Sequence, residues 1–132
     1  MDPLTFYFDR CFGKRFPEAL DKLTPPFTVE WHQKNKFAEE MADDEWLSIV
    51  GAKNWVVFSH DRKFHDDTAA CAAIRQHKIG CFYLWGASVG PWEKFICFAK
   101  TYERFHKLAV NTQKPFVFRI TYNFRIVPVK LP

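Results

Sequence analysis

Three aspartates occupy positions where an α/β chain gathers its chemistry. Asp9 ends the apolar run Leu4-Thr5-Phe6-Tyr7-Phe8, and Asp61 follows Trp55-Val56-Val57-Phe58 by way of Ser59 and His60. Asp43 opens the segment Asp43-Asp44-Glu45-Trp46-Leu47. Apolar runs this short suit strands buried on both faces of a parallel sheet. The carboxyl edge of such a sheet is where ligands bind. A helix begins near the carboxyl end of the strand before it, so Asp43 falls on the rim that holds Asp9 and Asp61. Carboxylates gathered there repel one another unless they share a cation. Oxygen donors with no convergent Cys/His set favour Mg²⁺ or Mn²⁺ over zinc. Such an ion beside a basic surface polarises a phosphodiester and activates water.

Each residue also has a plainer reading. Asp43 serves equally as a helix cap, and Asp61 as a turn cap ahead of Arg62-Lys63. Asp44, Glu45, Asp66 and Asp67 read as capping or dipole-compensating acids, with Asp44 and Asp66 held in reserve as ligands. Asp9, at the end of a central strand, is the hardest to explain structurally.

Basic residues flank these acids. Arg10, Lys14 and Arg15 follow Asp9, and Arg62 and Lys63 follow Asp61, where the phosphates of a polyanionic substrate would lie. A helix N-terminus adds its own donors. Lys34 and Lys36 extend the groove on a polar loop, and His32, His60 and His65 read as surface or orienting groups. For any single lysine, a solvated charged face is the competing reading.

The positioning elements follow from periodicity. A first helix runs over Lys14–Leu23, a second strand over Phe27–Trp31, and a polar loop over His32–Met41. The second helix opens at Ala42 with acids in its first turn and ends at Gly51. The third strand covers Trp55–Phe58, the third helix Ala69–His77 and the fourth strand Ile79–Trp85. Gly90-Pro91-Trp92-Glu93 starts the longest helix, whose apolar positions are Trp92, Phe95, Ile96, Ala99, Tyr102, Phe105 and Ala109. From Phe116 to Val127 apolar and polar residues alternate. That pattern predicts an edge or antiparallel strand, broken near Tyr122-Asn123. Alternating strands and helices call for one α/β domain over residues 1–132, with a mainly parallel sheet of about five strands and a C-terminal edge strand.

Composition sets outer bounds. Hydrophobic residues at 48% and charged residues at 26% describe a globular chain without a bilayer span. Met1-Asp2-Pro3 leads straight into a strand, so no secretory signal is expected and a cytoplasmic location is. The four cysteines form no Cys-x-x-Cys pair, and the reading is buried reduced thiols. A net charge of +4 excludes a non-specific DNA coater but suits a polyanionic substrate or an acidic partner.

In order and spacing, FYFDRCFGKRFPEAL, ADDEWL and WVVFSHDRKF resemble a PIN-like nuclease domain. They are closest to the compact subgroup related to VapC-type toxins of bacterial toxin–antitoxin pairs. The subgroup's Asp after the first strand falls on Asp9, and its Asp-x-x-hydrophobic-Leu helix start on Asp43. Its Thr-x-Asp-x-Asp-Phe motif falls on Ser59-His60-Asp61-Arg62-Lys63-Phe64. The resemblance implies a three-layer PIN-like sandwich and a metal-dependent endoribonuclease. Asp9, Asp43 and Asp61 would be its catalytic ligands for Mg²⁺ or Mn²⁺, with Ser59 orienting Asp61. It also implies an RNA substrate and an antitoxin protein that binds in the active groove or along the tail strand. Ser59 replaces the usual Thr, and Lys63 stands where a second Asp is common. The additional helix acid of larger PIN domains has no counterpart, Glu18 coming too early in the chain.

The reduced acidic set motivates a second function, a catalytically inactive PIN-like module that binds RNA or protein. A phosphoacceptor domain also places acids at strand ends. It needs an acidic pair after the first strand and a Lys after the fifth, and this chain has neither. The tail edge and the aromatic surplus raise a homodimer as the oligomeric expectation.

Overall fold

The apolar run before Asp9 forms β1 (Thr5–Phe8), and both of its faces are covered. Phe6 and Phe8 enter one core and Tyr7 the other, as the two-residue period of a strand requires. A computed structural model of the chain describes residues 4–60, 68–85 and 89–131. Among them, a 3-10 turn (Arg10–Phe12) and α1 (Arg15–Lys22) follow β1, and then come β2 (Thr28–Trp31) and α2 (Asp43–Ala52). The remaining elements are β3 (Val56–Ser59), α3 (Thr68–Gln76), β4 (Gly80–Trp85), α4 (Pro91–Asn111), β5 (Phe116–Thr121) and β6 (Ile126–Pro128). Asp61, Arg62, Lys63, His65, Asp66 and Asp67 lie outside the described residues.

The strands form one sheet in the order β2-β1-β3-β4-β5-β6. The first five are parallel, and β6 runs antiparallel to β5. Chain order reverses between β1 and β3, the position where doubly wound sheets open a crevice at their carboxyl ends. Helices cover both faces. Phe16 and Leu20 of α1 and Phe98, Phe105 and Ala109 of α4 pack on the face of Phe6, Phe8 and Phe58. Trp46, Leu47 and Val50 of α2 and Ala70, Ala73 and Ile74 of α3 pack on the face of Tyr7, Val57 and Cys81. The result is the expected three-layer α/β sandwich.

Three details depart from the pattern reading. The tail does break at Tyr122–Arg125, but its first part is the parallel strand β5 and only its second part, β6, is antiparallel. β5 is therefore internal; β6 is the edge on the tail side and β2 the edge on the other. The polar positions of β5, Arg119 and Thr121, are half-buried rather than fully exposed. The buried face of α4 is also rotated from the predicted stripe. Thr101 is buried, while Ala99 and Trp92 are exposed. Burial of Thr101 is tolerated because its hydroxyl donates to the Cys97 carbonyl at 2.7 Å. Finally, Cys71, Cys81 and Cys97 are buried as expected, but Cys11 is exposed because the 3-10 turn carries it out of the sheet. No helix among the described residues is long and apolar enough to cross a membrane.

One contact fixes the register of β4 on β5. Gly80 pairs with Phe116, and a Cβ on Gly80 would run into the Phe116 ring. Gly80→Ala is expected to cost about 1–3 kcal/mol through overpacking, measured as a fall in the urea midpoint with unchanged slope.

Candidate active site at the carboxyl edge

Asp9 extends the β1–β3 ladder by one step, its N–H donating to the Phe58 carbonyl at 3.1 Å. It is 3% exposed, and its Oδ1 accepts the Cys11 N–H at 3.1 Å, capping the 3-10 turn. Asp9 lies two residues after Tyr7 and so points to the same side of the sheet, under α2 and α3. The titration of its neighbours agrees. Burial, reinforced by the Asp9 charge and partly offset by Arg10, holds the Tyr7 phenol above its ordinary value. Burial first, and the Asp9 charge second, also push up the Cys81 thiol.

Asp43 lies at the first position of α2 and makes no cap; the cap residue is Ala42, which has no side-chain bond. The Asp43 Oδ1 instead accepts the Trp46 indole N–H at 3.0 Å. The Trp46 ring packs 5.4 Å from that of Tyr7. Asp9 and Asp43 are thus brought to one side of the sheet, flanking the same aromatic pair. Ser59 is fully buried at the end of β3 and shares the face of Val57, hence of Asp9. Asp44 is exposed beside Asp43.

A cleft of about 490 Å³ opens beside Asp9, lined by Arg10, Gly13, Lys14, His32, Gln33, Phe37 and Glu39. Two of the basic residues nominated for substrate therefore share one concavity. Gly13 shapes it with φ of 71°, a conformation that favours glycine. The Arg10 guanidinium reaches across to donate to the Glu39 carbonyl oxygen. Arg15 is exposed and does not line the cleft. Lys34 does not extend it either, because its ammonium pairs with Glu30 at 3.0 Å and lies over Trp31.

Pattern reading placed His32 among surface or orienting residues, yet it is 2% exposed. Its Nε2 lies 2.9 Å from the Ala38 carbonyl oxygen, which can only accept, so Nε2 carries the proton. Its Nδ1 then accepts from the Tyr7 hydroxyl at 3.2 Å. His32 thus fixes the loop that walls the cleft. His60 faces the opposite core, edge-on to Phe12 and 3.1 Å from the Tyr122 hydroxyl.

Two further residues join the site by register. Ser59 pairs with Tyr83 and Tyr83 with Arg119, while the His32 N–H donates to the Phe8 carbonyl. His32, Asp9, Ser59, Tyr83 and Arg119 form one polar row across the five parallel strands. The signal for Tyr83 and Arg119 was present in the sequence. Each follows the buried residue of its strand, Cys81 or Val117, by two, as Asp9 follows Tyr7 and Ser59 follows Val57.

The donor chemistry suits a hard divalent cation, since Asp9 and Asp43 offer only oxygen. Among the described residues no group of three or more His, Cys, Asp or Glu converges. They supply two acids, and Asp61 lies outside them.

A family model described as PIN like domain matches residues 4–86, more than half of the chain. The chain belongs to the PIN-like domain family. PIN-like domains are often nucleases, and the match indicates a nuclease-type function at most. The matched stretch includes Asp9, Asp43, Ser59 and Tyr83 and leaves α4, β5 and β6 beyond it. No curated protein and no solved structure matches the chain.

Proposed function

We propose that this PIN-like domain is an Mg²⁺- or Mn²⁺-dependent endoribonuclease, the toxin half of a toxin–antitoxin pair related to the VapC type. One observation carries the reading: a buried aspartate at the β1/β3 switch point, beside a cleft lined by Arg10 and Lys14. Asp9 and Asp43 would hold the cation together with Asp61, with Asp44 in reserve. When bound, the ion supplies polarisation of the phosphodiester and activation of water. The chain's own residues do the rest. Arg10 and Lys14 bind backbone phosphates in the cleft, Arg62 and Lys63 extend that binding, and buried Ser59 orients Asp61. Tyr7, kept protonated by its surroundings, and His32 hold the cleft wall in place. An acidic antitoxin segment would compete with RNA for the cleft. The β6 edge suits it less, being three residues long and ending in Pro128.

The alternative, a catalytically inactive module binding RNA or protein, is motivated by Lys63 standing where a second Asp is common and by the missing helix acid. Titration with Mn²⁺ separates the two. Saturable binding by the wild type, weakened about 10-fold or more in Asp9→Asn, supports the nuclease. RNA binding by a protein that takes up no Mn²⁺ favours the inactive module.

Trp46 acts on the metal through Asp43. Trp46→Phe keeps a ring beside Tyr7 but removes the indole donor. It is expected to weaken Mn²⁺ binding about 10-fold, within the range for lost outer hydrogen bonds. Binding that is unchanged in the folded variant would show that the Trp46 indole does not act on the metal through Asp43.

A further inference from the structure

The nuclease reading leaves α4 unused, although its first turn lies at the same rim. The packing of α4 along β1 sets its height. Phe105 meets Phe6 at 5.6 Å between ring centres, Phe98 meets Phe8 at 6.0 Å, and the Lys94 ammonium lies 5.8 Å over Phe12. Asp9 sits between Phe8 and Phe12 in the chain, so the turn holding Lys94 is level with the Asp9 loop. Trp92 is half a turn further out. It is 70% exposed, the most open of the large apolar residues identified as exposed.

That exposure is unusual for a ring that a helical stripe would bury. Trp92 is also held in place, its ring stacked on Phe95 at 5.8 Å with 28° between the planes. One face is backed by a second aromatic and the side chain is otherwise open to solvent. Lys94, two residues on and over the Phe12 ring, supplies positive charge beside the 3-10 turn that follows Asp9. Rigid exposed aromatics beside cationic side chains are what single-stranded nucleic acid uses for stacking.

We propose that Trp92, backed by Phe95, is a stacking subsite for an unpaired base of the RNA substrate. Lys94 guides the adjoining phosphate toward the Asp9 rim. The proposal rests on the ribonuclease reading and adds the subsite that selects unpaired RNA. A base held in a duplex stacks on its neighbours and has no face to offer Trp92. A protein partner on the same ring is the competing occupant, and charge complementarity between Lys94 and a phosphate backbone argues for RNA.

The test measures binding of a fluorescent single-stranded oligoribonucleotide by anisotropy, with EDTA present so that the probe stays uncut. Trp92→Ala is expected to weaken binding about 10-fold, and Trp92→Phe to restore most of it. A duplex of the same length should bind both variants and the wild type alike. Trp92 is exposed, so the melting temperature should stay near that of the wild type. If Trp92→Ala binds the single strand as tightly as wild type while Lys14→Ala binds it more weakly, the subsite fails and the RNA reading stands. That result would also be expected if the ring served a protein partner. If the wild type binds no RNA with or without Mn²⁺, both readings fall.

Discussion

Asp9→Asn is expected to reduce metal-dependent RNA cleavage by about 100-fold or more while leaving the fold intact. Loss of an outer hydrogen-bonding partner of a metal site costs ~10–100-fold, and a direct ligand belongs at or beyond the top of that range. The substitution is nearly isosteric and keeps the oxygen that accepts the Cys11 N–H, so the 3-10 turn retains its cap. It removes the charge of a side chain that is only 3% exposed. The same loss should lower the Tyr7 phenol toward its ordinary value, because the Asp9 charge helps to raise it. Burial, the larger cause, remains. An inactive Asp9→Asn protein with a wild-type melting curve would assign Asp9 to the chemistry. A variant that is both inactive and unfolded would assign it to the turn instead.

The largest effect on stability is expected at Phe58. This residue is fully buried at the middle of β3. Its ring lies 5.4 Å from Phe8, 5.4 Å from Phe82, 5.2 Å from Phe98 and 5.0 Å from Phe105. It therefore ties together three neighbouring strands and the longest helix. Phe58→Ala should cost about 3–5 kcal/mol, the transfer loss plus the cavity left behind. That is a large share of the ~5–15 kcal/mol that stabilises a domain. Urea denaturation followed by circular dichroism measures it. A loss below ~1 kcal/mol would show that the ring cluster rearranges to fill the space. Phe58 and Asp9 also separate two kinds of failure, since the first should lose structure and activity together and the second activity alone.

Much of the framework was legible because its signals are local. Short apolar runs marked β1, β3 and β4, and the acids ahead of Trp46 marked the start of α2. The Gly90-Pro91 pair marked the start of α4. Signals that depend on tertiary placement were harder to read. The break near Tyr122-Asn123 was legible, but β5 pairs in parallel with β4 and only β6 is antiparallel, which alternation alone does not distinguish. The buried stripe of α4 was misjudged because Thr101 satisfies its own hydroxyl within the helix, which hydrophobicity alone does not anticipate. At the site, Asp9 was visible from its position after a strand. The roles of His32 and Trp46 were not, because each depends on a partner distant in the chain or on ring geometry. Tyr83 and Arg119 carry a sequence signal, each two residues after a buried residue of its strand, but register is what aligns them with Asp9 and Ser59.

Cleavage of a labelled single-stranded RNA by the purified protein tests the central claim most directly. The wild type is compared with Asp9→Asn and Asp61→Asn, each with Mg²⁺, with Mn²⁺ and with EDTA. The account predicts cutting that needs the metal, stops with EDTA and is abolished by both substitutions. Cutting that survives both substitutions, or that persists in EDTA, would contradict it. So would a wild type that binds RNA irrespective of metal and leaves it intact.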